Sequence, residues 1–445
     1  MSTTLLREAD AGSLLESLLG DDVFVPREPK SLSETGVSSV LVEALISKYL
    51  LQVGTASGRE LARRLCLPFA IIDDLLAELR KRQIVVHTGQ AELGDYVYRL
   101  TELGSDRARI AMQACGYVGP VPVPLADYIT SVEAQTIRAE AVRREHLVRA
   151  FQGISVEADM FATLGPAINS GAGLFLYGPP GNGKTTLAKR ITRCFSQHIW
   201  LPHAIIEDGQ FIKLFDAAFH EPIRDDQTSS LASTKHDQRW VKVARPTVVV
   251  GGELTMDSLE IRHDPSTNVS EASLQLKSNC GCLLIDDFGR QRVDPTELLN
   301  RWIVPLENRI DYLTLATGRK IQVPFDQLII FSTNLEPTDL ADEAFLRRIP
   351  YKVEIKNPSL DEFRSMFQAF CHTLGCGYRS EAVDYLYHKH YKPHGRPLRR
   401  CHPRDLLTQI HNYSVYAGVP LELRPDYLDR VVDGYFTAVG NSAQV

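Results

Sequence analysis

The sequence predicts an α/β core built on a parallel sheet, preceded by a small module of helices and a β-hairpin. Two observations carry this prediction. The apolar run Leu174-Phe175-Leu176-Tyr177 enters a glycine-rich octapeptide and then a segment able to continue as a helix, and Cys282–Ile285 and Ile329–Thr333 are further short apolar runs of buried-strand length. Upstream, between Val37 and Cys115, apolar residues recur at helical spacing and give way to two strand-like runs around a glycine.

Composition sets the outer bounds. The chain has 445 residues, 44% hydrophobic and 23% charged. At ~150 residues per domain that is roughly two to four domains with ample material for buried cores. Lys plus Arg number 49 and Asp plus Glu 55, a net charge of −6, which argues against a protein built mainly to grip nucleic acid while leaving a local basic surface open. Eight scattered cysteines fit a reducing, cytoplasmic setting better than a disulfide scaffold. The uncharged stretch Ile110–Ala126 is broken by Gly116, Gly119, Pro120, Pro122 and Pro124, so no membrane insertion is expected. Arg7, Glu8 and Asp10 interrupt any signal-like apolar run.

Residues 1–35 hold a short apolar helix candidate (Leu14, Leu15, Leu18, Leu19) before Pro26 and Pro29, and are expected to form a mobile tail. Residues 36–116 form the helical module. Val42, Ile46, Leu50 and Val53 mark one helix, and Ser57-Gly58-Arg59-Glu60 has the form of a capping box opening a second. Pro68 starts a third, with Phe69, Ile72, Leu75, Leu76 and Leu79 on one face. Ile84–Val86 and Tyr96–Tyr98 then read as a hairpin, and the whole resembles a winged helix. In a DNA-reading module the N-terminal half of the third helix would enter the groove, and here it carries Asp73 and Asp74, which phosphates repel. A protein-docking role is therefore expected, with Arg80-Lys81-Arg82 as the anchor if DNA is bound. Residues 117–150 read as a stiff proline-rich linker over Val118–Pro124 and a helix from Ser131 to Phe151 leading into the next domain.

The strongest local signal is Gly178-Pro179-Pro180-Gly181-Asn182-Gly183-Lys184-Thr185, followed by Thr186, which satisfies every fixed position of a phosphate-binding P-loop between a strand and a helix. Its glycines let backbone N–H groups turn toward phosphates at a helix N-terminus. Lys184 would neutralise the β and γ phosphates of ATP and the Thr185 hydroxyl would ligate Mg²⁺. The run Cys282–Ile285 ends in Asp286 and Asp287. A strand placed beside the P-loop strand would bring Asp286 to the metal and Asp287, as base or water-orienting residue, to the attacking water.

The P-loop, the acid pair and the later Ile329-Ile330-Phe331-Ser332-Thr333-Asn334 together resemble the AAA+ ATPases, over about Phe151 to Val439. The resemblance implies an α/β nucleotide-binding core at 151–357 with hairpin inserts, and a helical lid at 358–440. It implies that Asn334 is the sensor 1 residue and that Arg347 or Arg348, in Asp342-Glu343-Ala344-Phe345-Leu346-Arg347-Arg348, is the arginine finger of a neighbouring subunit. Arg404, in His402-Pro403-Arg404-Asp405-Leu406-Leu407, would be sensor 2; a local ion pair with Asp405 is its alternative role. The second acid is Asp287 where most members have Glu, and its shorter reach leads to an expectation of slow turnover.

The long stretch between Lys184 and Asp286 includes Thr247–Leu254, which reads as a strand–turn hairpin, and Leu313–Val323 around Thr317-Gly318-Arg319-Lys320 reads as another. These placements resemble inserts of AAA+ branches that include magnesium-chelatase-like, chaperone-like and enhancer-binding members, facing a pore or client or filling subunit contacts. The arrangement of a winged helix before this motor resembles bacterial chaperone-like AAA ATPases. Cys371, His372, Cys376, His388, His390, His394, Cys401 and His402 lack the paired spacing of a zinc site, and are expected to pack in the lid around a basic loop (Lys389, Lys392, Arg396, Arg399, Arg400). The expected function is ATP hydrolysis driving remodelling of a macromolecular client by a homo-oligomer, a hexamer in the manner of the family. The alternatives are a DNA-targeting loader that uses ATP as a switch, and an ATP-dependent scaffold with little turnover.

Overall fold

The computed structural model describes residues 24–154, 158–195, 198–223, 236–340 and 343–437. The described residues divide into two compact units, one drawn from the ranges 24–141, 195–283 and 297–329, the other from 142–194, 284–296 and 330–437.

In the first unit, helices Ser39–Val53, Gly58–Leu65 and Phe69–Lys81 pack around Leu45, Ile46, Leu61, Ile72, Leu76 and Leu79. The strands Thr55–Ser57, Tyr96–Leu100 and Val85–Gln90 form an antiparallel sheet in that order. Val53, placed by spacing on the buried face, is exposed at the helix end. Ser57 Oγ accepts from Glu60 N at 3.1 Å, but the Glu60 carboxylate accepts from the Tyr49 hydroxyl. Asp95 caps the same helix start by accepting from Gly58 N and Arg59 N. Asp73 and Asp74 are exposed, as their spacing predicts. A fourth helix, Glu102–Ala114, starts from Thr101, whose Oγ1 accepts from Gly104 N.

Three expectations about chain organisation are corrected here. The helix candidate at Leu14–Leu19 lies outside the described residues, but the tail expected through residue 35 is anchored from Phe24 onward. Phe24 stacks edge-on against Trp240 at 5.7 Å, and Pro26 O accepts from Asp237 N. The expected linker is instead part of a sheet. Val123–Pro124 pairs in parallel with Ile205–Ile206 at one edge, because the alternate valines Val121 and Val123 are both buried. That sheet continues through the antiparallel Ala204–Glu207 and Gln210–Lys213 hairpin to Val269–Glu271 and Arg262–Asp264. The expected helix over 131–151 is two: Leu125–Ala134 and Arg144–Ala150. The buried Asp326 carboxylate separates them, accepting from Thr136 Oγ1 at 2.7 Å and Ile137 N at 3.1 Å.

A five-stranded sheet contains β1 (Leu174–Tyr177), β2 (Thr247–Val250), β3 (Cys282–Ile285), β4 (Leu328–Thr333) and β5 (Tyr351–Glu354) in the order β2-β3-β4-β1-β5. Strands β4 and β5 run parallel to β1, with Ser332 and Val353 both in register with Leu176. Two sequence expectations are revised by this order. Thr247–Leu254 is no hairpin: β2 is a sheet strand followed by the Met256–Leu259 turn of 3-10 helix. The acid-bearing β3 is not beside β1, because β4, buried along its whole length, lies between them. The second expected hairpin does form, pairing Ile310–Thr314 with Lys320–Pro324.

In the second unit, Phe175, Phe288 and Phe331 pack with ring centroids 4.8 to 6.1 Å apart. Helix α1 (Lys184–Ile191) follows the glycine-rich loop. Helices α2 (Leu360–Leu374), α3 (Ser380–Leu386), α4 (His402–Ala417) and α5 (Pro425–Thr437) share a core of Phe363, Phe367, Val383, Leu407, Ile410 and Leu428. Ser359 and Glu362 form a reciprocal capping box at the start of α2. No helix among the described residues is long and apolar enough to cross a membrane.

Candidate functional site

The loop between β1 and α1 is shaped by backbone conformations that only glycine adopts without strain. Gly178 has φ +127°, and a Cβ there would lie 2.7 Å from Ile355 O. Gly181 has φ +79°, and a Cβ there would meet Cys401 Sγ at 2.7 Å. Lys184, at the first turn of α1, is almost wholly buried. Its Nζ donates to Gly178 O (2.8 Å), Pro179 O (3.1 Å) and Asn334 Oδ1 (2.7 Å). Burial lowers its pKa from the usual lysine range, Asp287 and Asp286 act in the opposite direction, and Arg399 adds to the lowering. Pro180 and Thr186 are exposed on the loop and the first turn of α1.

Thr185 Oγ1 donates to the Asp286 carboxylate at 2.8 and 3.0 Å. A hydroxyl and a carboxylate facing each other at the N-terminus of a helix are hard oxygen donors suited to Mg²⁺. With the glycine cradle and Lys184, the donor set fits a nucleotide phosphate chain with its metal. Asp287 is exposed and holds the left-handed conformation, φ +49°. Its Oδ1 accepts from Asn334 Nδ2 at 3.3 Å. The turn behind it is tied to β4, since Phe288 N donates to Ser332 O and Thr333 Oγ1 donates to Phe288 O.

Lys184, Thr185, Asp286, Asp287 and Asn334 thus form one hydrogen-bonded group. Arg347 is exposed and Arg348 half-buried just beyond the Glu343–Leu346 helix, outside that group; Asp342, in the same segment, lies outside the described residues. Arg404 is also outside it. Its side chain is 63% exposed and pairs with Asp405 at 2.8 Å.

Sequence reasoning missed the residues that cover the loop from the helical bundle. Asn182, which is buried, donates through Nδ2 to Asn357 Oδ1 at 2.8 Å and accepts at Oδ1 from Arg400 N at 3.1 Å. Arg399 Nη1 donates to the same Asn357 oxygen, and Cys401 N donates to Gly181 O at 2.9 Å. Gln291 was missed as well: it accepts from Gly289 N and donates to Asp286 O, fixing the turn that carries both acids. The available signal was the pair Arg399-Arg400 directly before α4.

The Cys and His residues of the bundle have separate partners. His390 meets Asp429 at 2.6 Å, His388 meets Asp384 O, and His402 meets the Tyr391 hydroxyl at 2.8 Å. Among the described residues, no group of three or more His, Cys, Asp or Glu is arranged to hold a metal.

Comparison with known proteins adds the following. A family model described as a domain of unknown function, DUF8689, matches residues 359–434. A search of curated proteins finds no match. Among solved structures, the chain is similar to RuvB of Thermotoga maritima, described as a Holliday junction branch migration motor, at 14% identity and a TM-score of 0.35, over 66% of this chain and 70% of that one. A point mutant of the same protein matches at 12% identity and a TM-score of 0.35, over 67% and 72%. NtrX of Brucella abortus matches at 11% identity and a TM-score of 0.33, over 77% of this chain and 58% of that one.

Proposed function

We propose that the chain is an ATPase of the AAA+ type that binds MgATP on the Gly178–Thr186 loop and hydrolyses it to ADP and phosphate. The observation that carries this reading is the single network joining Lys184, Asn334 and Asp287 beside the Thr185–Asp286 pair. Lys184, released from its loop carbonyls, contacts the β and γ phosphates. Asp287 accepts a proton from water as the water attacks the γ-phosphorus, and Asn334 orients both groups. Thr185 and Asp286 would hold Mg²⁺, which would supply charge neutralisation on the phosphate oxygens. Arg399, which faces Lys184 electrostatically and bonds Asn357, is the better-supported cis contact for the γ-phosphate than Arg404. The exposed Arg347 or its neighbour Arg348 serves a neighbouring subunit of a homo-oligomer, a hexamer by family resemblance.

In this reading hydrolysis moves the α2–α5 bundle, acting as the lid, through the contacts of residues 399–401 with the loop. The motion works on a macromolecular client in the cytoplasm. Residues 36–116, read as a winged helix, dock protein rather than DNA. Their basic run is locally neutralised, with Lys81 paired to Glu78 and Arg82 to Glu43, and their third helix exposes Asp73 and Asp74. Salt-sensitive duplex binding by the whole protein, abolished by Arg80→Ala, would favour the DNA-targeting alternative instead.

The test is phosphate release by the purified protein. Wild type should turn over well below about 100 per second, and Lys184→Ala and Asp287→Asn should release none. Asp287→Asn should retain ATP and co-purify a client that Lys184→Ala does not. Wild type that binds ATP but releases no phosphate supports the scaffold alternative.

A further inference from the structure

We infer that a cavity of the first unit, lined by the Leu125–Ala134 helix, the Ile137–Ala139 turn and the Ile310–Thr314/Lys320–Pro324 hairpin, binds a monoanionic carboxylate carrying an apolar body. The cavity has a volume of about 470 Å³, within the range of small-molecule sites. Its apolar wall includes Ile129, Val132 and Val323.

The charged groups define the ligand. Arg309 lines the cavity half-buried, and its guanidinium forms no hydrogen bond or ion pair with a described residue. Its position is fixed: it holds φ +59°, its N donates to Pro305 O at 3.0 Å, and its carbonyl accepts from Phe325 N at 3.0 Å. Burial, and after it the like charge of Arg138, disfavour its charged form, with the nearby Asp326 acting in the opposite direction. An arginine kept under those two penalties is matched by an anion that presents two oxygens to its planar fork.

The nearby carboxylates limit that anion to one charge. Asp326 is already engaged on both oxygens, by Thr136 Oγ1 and Arg138 Nε at Oδ1 and by Ile137 N at Oδ2. Glu133 stands exposed at the cavity wall. Two negative groups beside the site repel a phosphate dianion more than a carboxylate, and the apolar wall gives burial to a hydrocarbon body.

The experiment titrates hexanoate, hexanamide and inorganic phosphate into the full-length protein and its Arg309→Gln variant by isothermal calorimetry, with melting curves to show that both are folded. Hexanoate should bind wild type saturably at one site. Hexanamide and phosphate should bind about tenfold more weakly or worse, and Arg309→Gln should weaken hexanoate by about tenfold or more. Equal binding of hexanamide would reduce the site to an apolar cleft, and equal binding of phosphate would make it a general anion site. Either result overturns the proposal, as does unchanged hexanoate affinity in folded Arg309→Gln or no saturable hexanoate binding to wild type.

Discussion

Lys184 Nζ donates to Asn334 Oδ1 at 2.7 Å, across the end of the β4 strand that separates the loop strand from the acid-bearing one. The other end of the same carboxamide reaches Asp287. Asn334 therefore sets the spacing between Lys184 and Asp287, the proposed phosphate contact and the proposed base. Asn334→Ala should lower kcat for phosphate release by about 100-fold while changing KM for ATP by less than about threefold, since a positioning group acts mainly on the transition state. Unchanged kcat would remove Asn334 from the mechanism.

Arginines 399 and 404 are expected to differ. Arg399 bonds Asn357, which also holds Asn182 of the loop, whereas Arg404 is mostly exposed and paired to Asp405. Arg399→Ala should cut ATP turnover by about tenfold or more, as loss of a charge-assisted contact does. Arg404→Ala should stay within about twofold of wild type, the usual scale for a surface pair. Steady-state phosphate release on both variants measures this, and the opposite ranking would restore Arg404 as the nucleotide contact.

His402 provides a pH signature. Its imidazole is buried among Tyr391, Tyr435 and Phe436, with Arg399 and Asp405 as its charged neighbours. Burial, with a smaller effect of Arg399, pulls its pKa down from 6.5 to about 4. The unfolded chain takes up a proton below about pH 6.5 that the folded chain refuses until about pH 4. The contribution of neutral His402 is thus complete above that window and is lost as pH falls through it, by at most ~3 kcal/mol. Urea denaturation at pH 4.5 and 7.5 should show a smaller stability difference for His402→Gln than for wild type. An equal difference would contradict the assignment.

Gly178 is predicted to be intolerant. Alanine there would combine φ +127° with a Cβ 2.7 Å from Ile355 O. Gly178→Ala should destabilise the second unit by ~1–3 kcal/mol, read as a lower urea midpoint. A variant as stable as wild type would show that the loop relaxes freely.

Much of the candidate site was legible because its chemistry is local. The glycines, Lys184 and Thr185 stand together in the chain, and Asp286 and Asn334 end apolar runs whose strand character is unmistakable. The cover over the loop was not legible. Asn357 and Arg400 bond Asn182 from 175 and 218 positions away and Cys401 N bonds Gly181 O, and no periodicity encodes such pairing. The sheet that absorbs Val123–Pro124 was missed for the opposite reason. Prolines suggested a spacer, while the two buried valines between them decided the outcome through parallel pairing with a distant segment. For Arg404 both readings were legible in the sequence, and the pair with the adjacent Asp405, one of the two, is the contact it makes.

The proposed Mg-nucleotide site on the Gly178–Thr186 loop with Asp286 is decided by calorimetric titration of ATP in the presence of Mg²⁺. Wild type should bind at one site per chain, and Lys184→Ala, with an unchanged melting curve, should bind about 100-fold more weakly or not at all. Equal affinity in the two proteins, or no binding to folded wild type, would contradict it.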